Sequence, residues 1–176
     1  SGDTALVGID HRPATGELFG LGNAGGIYVI DAGTAAATKR SQLSVALEGS
    51  AFGIDFNPTV DRLRIVGDTG QNLRVNVDTG VATVDGALSY TAPPAPPVTT
   101  SGVIGAAYTN NDGDASTATT LFDLDAGLDQ VAIQAPPNAG GLNPTGKLGA
   151  DIGGRGDLDI HATIRSICSC VPSISA

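Results

Sequence analysis

Two aspartates recur in one local setting. Leu6-Val7-Gly8-Ile9-Asp10-His11-Arg12-Pro13 matches Ala51-Phe52-Gly53-Ile54-Asp55-Phe56-Asn57-Pro58, so Asp10 and Asp55 share a position in a repeat. A looser third copy, Val103-Ile104-Gly105-Ala106-Ala107-Tyr108-Thr109-Asn110, has Ala107 there. Asp159 joins the set if Asp157 stands in place of the repeated glycine. Carboxylates gathered round one axis repel, and raise one another's pKa, unless a cation sits between them. Hard oxygen ligands of this kind suit Ca²⁺, with Zn²⁺ or Mn²⁺ as alternatives. Asn57, Asn110 and His161 are the further candidate metal ligands beside Asp10, Asp55 and Asp159. A bound divalent metal would polarise an ester or phosphoryl oxygen and acidify a bound water. His11, next to Asp10, is the candidate general base, and Asp10 and Asp55 complete the candidate catalytic set.

The same residues have a structural reading. An aspartate in a Gly-x-Asp step often bonds backbone amides, either in a turn or in the neighbouring unit. Side chains alternate along a strand, so His11 faces away from Asp10 and belongs on the surface. Asn110 to Asp114 (Asn-Asn-Asp-Gly-Asp) is rich in oxygen ligands but lacks the closing Glu of a helix-loop-helix calcium site, and reads as a solvated loop.

The elements that must position these residues are short strands. The repeated glycines sit at 8, 53 and 105, about one four-stranded blade apart. After each match the same order of pieces follows. The first unit continues with Glu17 to Leu21, Gly26 to Asp31 and Ala37 to Leu43. The second continues with Arg62 to Val66, Asn72 to Val77 and Val81 to Leu88, and the third with Thr119 to Leu124, Asp129 to Gln134 and Gly141 to Leu148. Ala14-Thr15-Gly16, Asp31-Ala32-Gly33 and Asp78-Thr79-Gly80 are the connecting turns, with glycine supplying positive φ. The pattern predicts an all-β, β-propeller-like domain over 1–160, with units at about 5–50, 51–100 and 101–150 and a fourth starting at about 157. Ala92 to Pro97 reads as a stiff extended loop, and 161–176 as an atypical tail. Three blades cannot close a ring and would expose sheet edges, so a homodimer making six blades is expected.

Composition narrows the function classes. Eighteen acidic residues against nine basic ones give a net charge of −9, which disfavours nucleic acid as a partner. No segment approaches the ~20 apolar residues of a membrane span. Nucleophile elbow, zincin, Walker and dinucleotide motifs are absent. Cys168 and Cys170 stand too close for an unstrained local disulfide and read as incidental.

The run Gly8 to Gly22, together with Gly53 to Arg64, Asp68 to Arg74 and Gly105 to Asn111, resembles an uncharacterised bacterial family, domain of unknown function 4394, over roughly 5 to 152. The resemblance implies propeller-like repeats and export, hence a secreted or cell-surface bacterial protein, and implies no chemistry. Two functions are therefore expected. One is a divalent-metal-dependent hydrolase of activated esters, lactones or phosphotriesters acting on a small-molecule substrate at the axis. The other is a non-catalytic extracellular module that binds a surface ligand or serves as structure.

Overall fold

The computed structural model describes residues 2–90, 98–99, 102–112, 114, 116–154, 156–160 and 167–169. The described residues form strands and turns, with one short 3-10 turn at Pro137–Ala139. The first sheet is an antiparallel meander of β1 (Leu6–His11), β2 (Leu18–Gly22), β3 (Gly26–Ile30) and β4 (Ala37–Gln42). The second is β5 (Phe52–Asn57), β6 (Arg62–Gly67), β7 (Asn72–Val75) and β8 (Ala82–Val84). The third runs from β11 (Val103–Tyr108) through β12 (Leu121–Asp125) and β13 (Gln130–Gln134) to β14 (Gly141–Lys147). Beyond β14 it gains β9 (Ser89–Tyr90), parallel to β14, and then β10 (Val98–Thr99).

These strands lie close to the expected ones, with β9 and β10 added and three further differences. The stretch Val81 to Leu88 is a strand only over β8. It breaks because Asp85 turns its carboxylate inward to Arg64 and Arg74, and the Gly86 N–H then bonds Asn138 rather than continuing the ladder. In the Asp31 turn the positive φ falls on Ala35, at 58°, not on Gly33. The equivalent i→i+4 turns close on Gly16 and Gly80, so here an alanine holds the glycine's place. Finally, the tail contributes structure: β15 (Leu158–Ile160) pairs antiparallel with β16 (Ile167–Ser169) in a separate two-stranded sheet. The Ala92 to Pro97 loop and His161 lie outside the described residues.

The first strands of successive units lie side by side, in the order β1, β5, β11, β15. Apolar side chains between units make three cores. Phe19, Leu21 and Ile27 meet Phe56, Leu63 and Ile65 between the first and second sheets, with Phe19 and Phe56 edge to face at 5.4 Å. Val66 and Leu88 meet Val103, Tyr108 and Leu142 between the second and third. Ile104, Leu124 and Val131 meet Leu158 in the last. Arg12 adds a tie across the first junction, bonding Asp61 at 2.8 and 2.5 Å and Asp78 at 3.2 Å.

The repeated glycines mark the closest approach of these strands. A Cβ on Gly53 would lie 2.5 Å from backbone atoms of Gly105 and Ala106, and one on Gly8 would lie 2.9 Å from Ile54. Gly53→Ala should therefore destabilise the protein by about 1–3 kcal/mol or more, because backbone rather than a flexible side chain must yield. Gly146→Ala, which meets open space, should stay within about 0.5 kcal/mol in the same urea titration. Equal midpoints for the two variants would refute the close-approach role.

Candidate functional site

The inner aspartates act first as links between strands. The Asp10 carboxylate accepts the His11 N–H at 2.7 Å and the Phe56 N–H of the next unit at 2.8 Å. Asp55 repeats this one unit on, accepting the Tyr108 N–H. The two carboxyls also hydrogen-bond each other, and both feel the negative charge of Asp159. Burial raises the Asp10 pKa against the hydrogen bonds that lower it. Burial, then the charge of Asp10, hold Asp55 well above the usual carboxylate range. Both Asp10 oxygens accept backbone N–H groups while only one Asp55 oxygen does, so Asp55 is the partner placed to donate a shared proton and Asp10 to accept it.

Of the other expected site residues that are described, Asp159 reaches this pair through its charge, and the side chains of His11, Asn57 and Asn110 bond elsewhere. His11 is exposed, with Nδ1 3.4 Å from the Gly16 carbonyl of its own hairpin. Asn57 Oδ1 accepts the Thr59 and Val60 N–H groups at 2.9 and 3.3 Å, closing the β5–β6 turn. Asn110, at φ 60°, donates from Nδ2 to the Ala118 carbonyl and closes its loop. Asp159 is exposed on β15. Among the described residues, no three His, Cys, Asp or Glu side chains group as metal ligands would.

A second constellation lies between the second and third sheets. Register places one cross-strand row at the same level in every unit. The row is Asp10, Phe19, Val29, Thr38 in the first sheet and Ala107, Phe122, Ile133, Asn143 in the third. In the second sheet it is Asp55, Arg64, Arg74, Thr83. Residues opposite one another in an antiparallel ladder point to the same face. Two adjoining guanidiniums thus stand where the other units place an aromatic and a β-branched side chain.

Arg64, only 2% exposed, is held from several sides. Nε donates to Tyr108 Oη at 3.2 Å, Nη1 to Asn72 Oδ1 at 2.8 Å and Asp85 Oδ2 at 2.7 Å, and Nη2 to Asn138 Oδ1 at 3.0 Å. Arg74 grips Asp85 with Nε at 2.6 Å and Nη2 at 3.0 Å. Burial alone would raise the Asp85 pKa, but the hydrogen bonds from Arg74 and Arg64 carry it below the ordinary value. Arg62, two residues before Arg64 on β6, donates to the carbonyls of Val60 and Asp61. All three arginines line a cleft of 390 Å³ shared with Tyr108 and Asn138.

This arginine row was the part sequence reasoning missed. Its signal was present: three of the nine cationic residues fall in Arg62-Leu63-Arg64 and Arg74 of a single unit. Deeper in the same junction, Asp123 is fully buried with neither carboxyl oxygen hydrogen-bonded. Burial raises its pKa well above the ordinary value, partly offset by the charge of Arg64.

The family model for Domain of unknown function (DUF4394) matches residues 1–172, so the match continues past residue 152 into the tail. No curated protein matches. Among solved structures, the chain is similar to an auxiliary nutrient binding protein from Bacteroides thetaiotaomicron VPI-5482, with a TM-score of 0.50 at 17% identity, covering 76% of this chain and 34% of that one. It is also similar to an auxiliary nutrient binding protein from Bacteroides ovatus ATCC 8483, with a TM-score of 0.47 at 16% identity, covering 74% and 34%. The chain spans about a third of the length of these structures. The first likeness is one of fold.

Raised folded-state pKa values at Asp10, Asp55 and Asp123 favour the native state below the ordinary carboxylate value of 3.8, and this contribution fades as pH rises through the raised values. Asp55→Asn reproduces the protonated form and should leave stability at pH 7 unchanged or higher, with a flatter pH profile. Asp10→Asn turns an amide N–H toward a backbone N–H and should cost about 1–3 kcal/mol. Thermal melts from pH 4 to 8 that rank the two variants the other way would overturn the assignment of the proton. The matched residues give the identification: the chain belongs to the family described as Domain of unknown function (DUF4394).

Proposed function

We propose that this chain is a non-catalytic, exported binding module of β-propeller type, whose ligand enters the cleft between the second and third sheets. The observation that carries the reading is the substitution within the repeat. At one level of the fold, two units carry Phe19 and Val29 or Phe122 and Ile133, while the unit between them places Arg64 and Arg74 there. Burying a guanidinium and its carboxylate in place of well-packed apolar groups gains little stability, so a role other than stability fits better. A cleft of 390 Å³ falls within the usual range for small-molecule sites. The fold likeness to a nutrient binding protein accords with a ligand partner. No helix among the described residues is long and apolar enough to cross a membrane.

The propeller reading extends the side-by-side array of inner strands. Leu6 and Ile9 on β1 are 46% and 50% exposed, as a sheet face awaiting a further unit would be. A second copy of this chain, making a homodimer, or further units of a longer chain would cover it.

A divalent-metal-dependent hydrolase is the second reading. It is favoured by the mutual electrostatic reach of Asp10, Asp55 and Asp159, which a Ca²⁺, Zn²⁺ or Mn²⁺ ion would relieve. It ranks second because Asp10 and Asp55 already bond backbone amides and each other.

Three measurements test these readings. Amide NMR of the labelled protein against a panel of small metabolites should shift residues around the cleft; shifts confined to other surfaces would overturn the binding site. Metal analysis with a chelator-controlled ester, lactone and phosphotriester panel should find neither stoichiometric metal nor turnover; finding both would establish the hydrolase. Mass in solution should exceed one chain if two copies close the ring.

A further inference from the structure

We infer that the ligand of the cleft between the second and third sheets is a small organic oxyanion, a carboxylate or phosphate group on a polar body, held by the guanidiniums of Arg62 and Arg74. This rests on the reading of that cleft as a binding site and adds the chemical class of what it binds.

The chain carries a net −9, yet this cleft gathers three arginines against one carboxylate partner, Asp85. This excess of positive charge is local within a negative protein and favours an anion at the face the arginines present. Arg64 does not need that partner, since Tyr108, Asn72, Asp85 and Asn138 all accept from it. Its role is to fix the floor. Asn138 and Tyr108 are pinned by it at the cleft wall, and so is the Asp85 carboxylate that orients Arg74.

Arg74 and Arg62 differ from Arg64. Arg74 uses Nε and one edge of Nη2 on Asp85, and Nη1 bonds no described side chain. Among the described residues Arg62 bonds only backbone carbonyls, through Nη1, which compensate its charge weakly. Both are partly exposed, and both also line a neighbouring hollow with Thr79 and Thr83. Each therefore presents guanidinium N–H groups to solvent from an anchored position. Planar forks of this kind match carboxylate and phosphate oxygens, and prior anchoring reduces the entropy lost on binding. Asn57 and Asn138 at the same cleft can hydrogen-bond hydroxyls or amides of the ligand body. Val60 and Pro137 supply the limited apolar contact.

The test uses the full chain, titrated by NMR or calorimetry with inorganic phosphate, glucuronate and glucose. Phosphate or glucuronate should bind with a Kd of about 1 mM or tighter, and glucose should not. The tighter of the two anions identifies which oxyanion the site prefers. Arg62→Gln and Arg74→Gln should each weaken that binding about tenfold or more, the usual worth of a charged hydrogen bond. Arg40→Gln, at an exposed arginine paired with Asp78 outside the cleft, should leave binding unchanged. Arg62→Gln disturbs only turn carbonyls, so its fold, checked by amide dispersion, should survive.

Binding of either anion that both glutamine variants retain in full would overturn the inference. Glucose shifting the cleft amides while both anions fail would overturn it and leave the binding-module reading standing. Failure of every probe to shift the cleft would overturn both.

Discussion

The fold depends on how closely one inner strand can lie against the next. Glycine at 8, 53 and 105 removes the side chain where those strands come nearest, and at Gly53 the approach is backbone to backbone. Two residues on, Asp10 and Asp55 reach across the gap so formed and accept a backbone N–H from the following unit. Approach and link are two halves of one device. Without the glycine the carboxylate could not reach, and without the carboxylate an inner-strand N–H would face a neighbour with no acceptor. The Gly-x-Asp step therefore propagates the geometry from sheet to sheet and sets the level at which every cross-strand row stands.

That level explains why the arginine row matters. Because each sheet is placed on its predecessor by the same contact, Phe19, Arg64 and Phe122 occupy equivalent places, and the departure at Arg64 is a departure within a frame. The apolar junctions on either side supply packing. The central one is partly polar, with Asn72, Asp85, Asp123 and Tyr108 around the guanidinium. Rigid sheets on both flanks let this junction carry buried charge without collapsing, and a cleft remains where side chains of different length fail to interlock.

Much of this was legible in the chain. The recurring octapeptide located the inner strands, and turns rich in glycine and aspartate bounded the strands that follow, because local alternation and turn chemistry act within a few residues. The carboxylates at 10 and 55 bond backbone amides of the next strand, as the structural reading of the Gly-x-Asp step has it. What stayed hidden depended on partners distant in sequence. Arg64 and Arg74 are ordinary strand residues until register sets them side by side and the third sheet closes over them. The parallel pairing of β9 with β14 joins residues from different units, which no local pattern announces. The strand at Ile167–Ser169 has no counterpart in the repeated octapeptide, and only its pairing with Leu158–Ile160 marks it.

Ala107 gives the array a direction of weakness. It takes the place of the linking aspartate in the third unit, so the junction between β11 and β15 has the close approach at Gly105, where a Cβ would lie 3.1 Å from the Leu158 backbone nitrogen, but no carboxylate at that place to reach across. The first two seams are riveted and the last is only pressed together. Pulled or heated, such an array should come apart from that end, shedding the β15–β16 pair while the cleft between the second and third sheets stays whole.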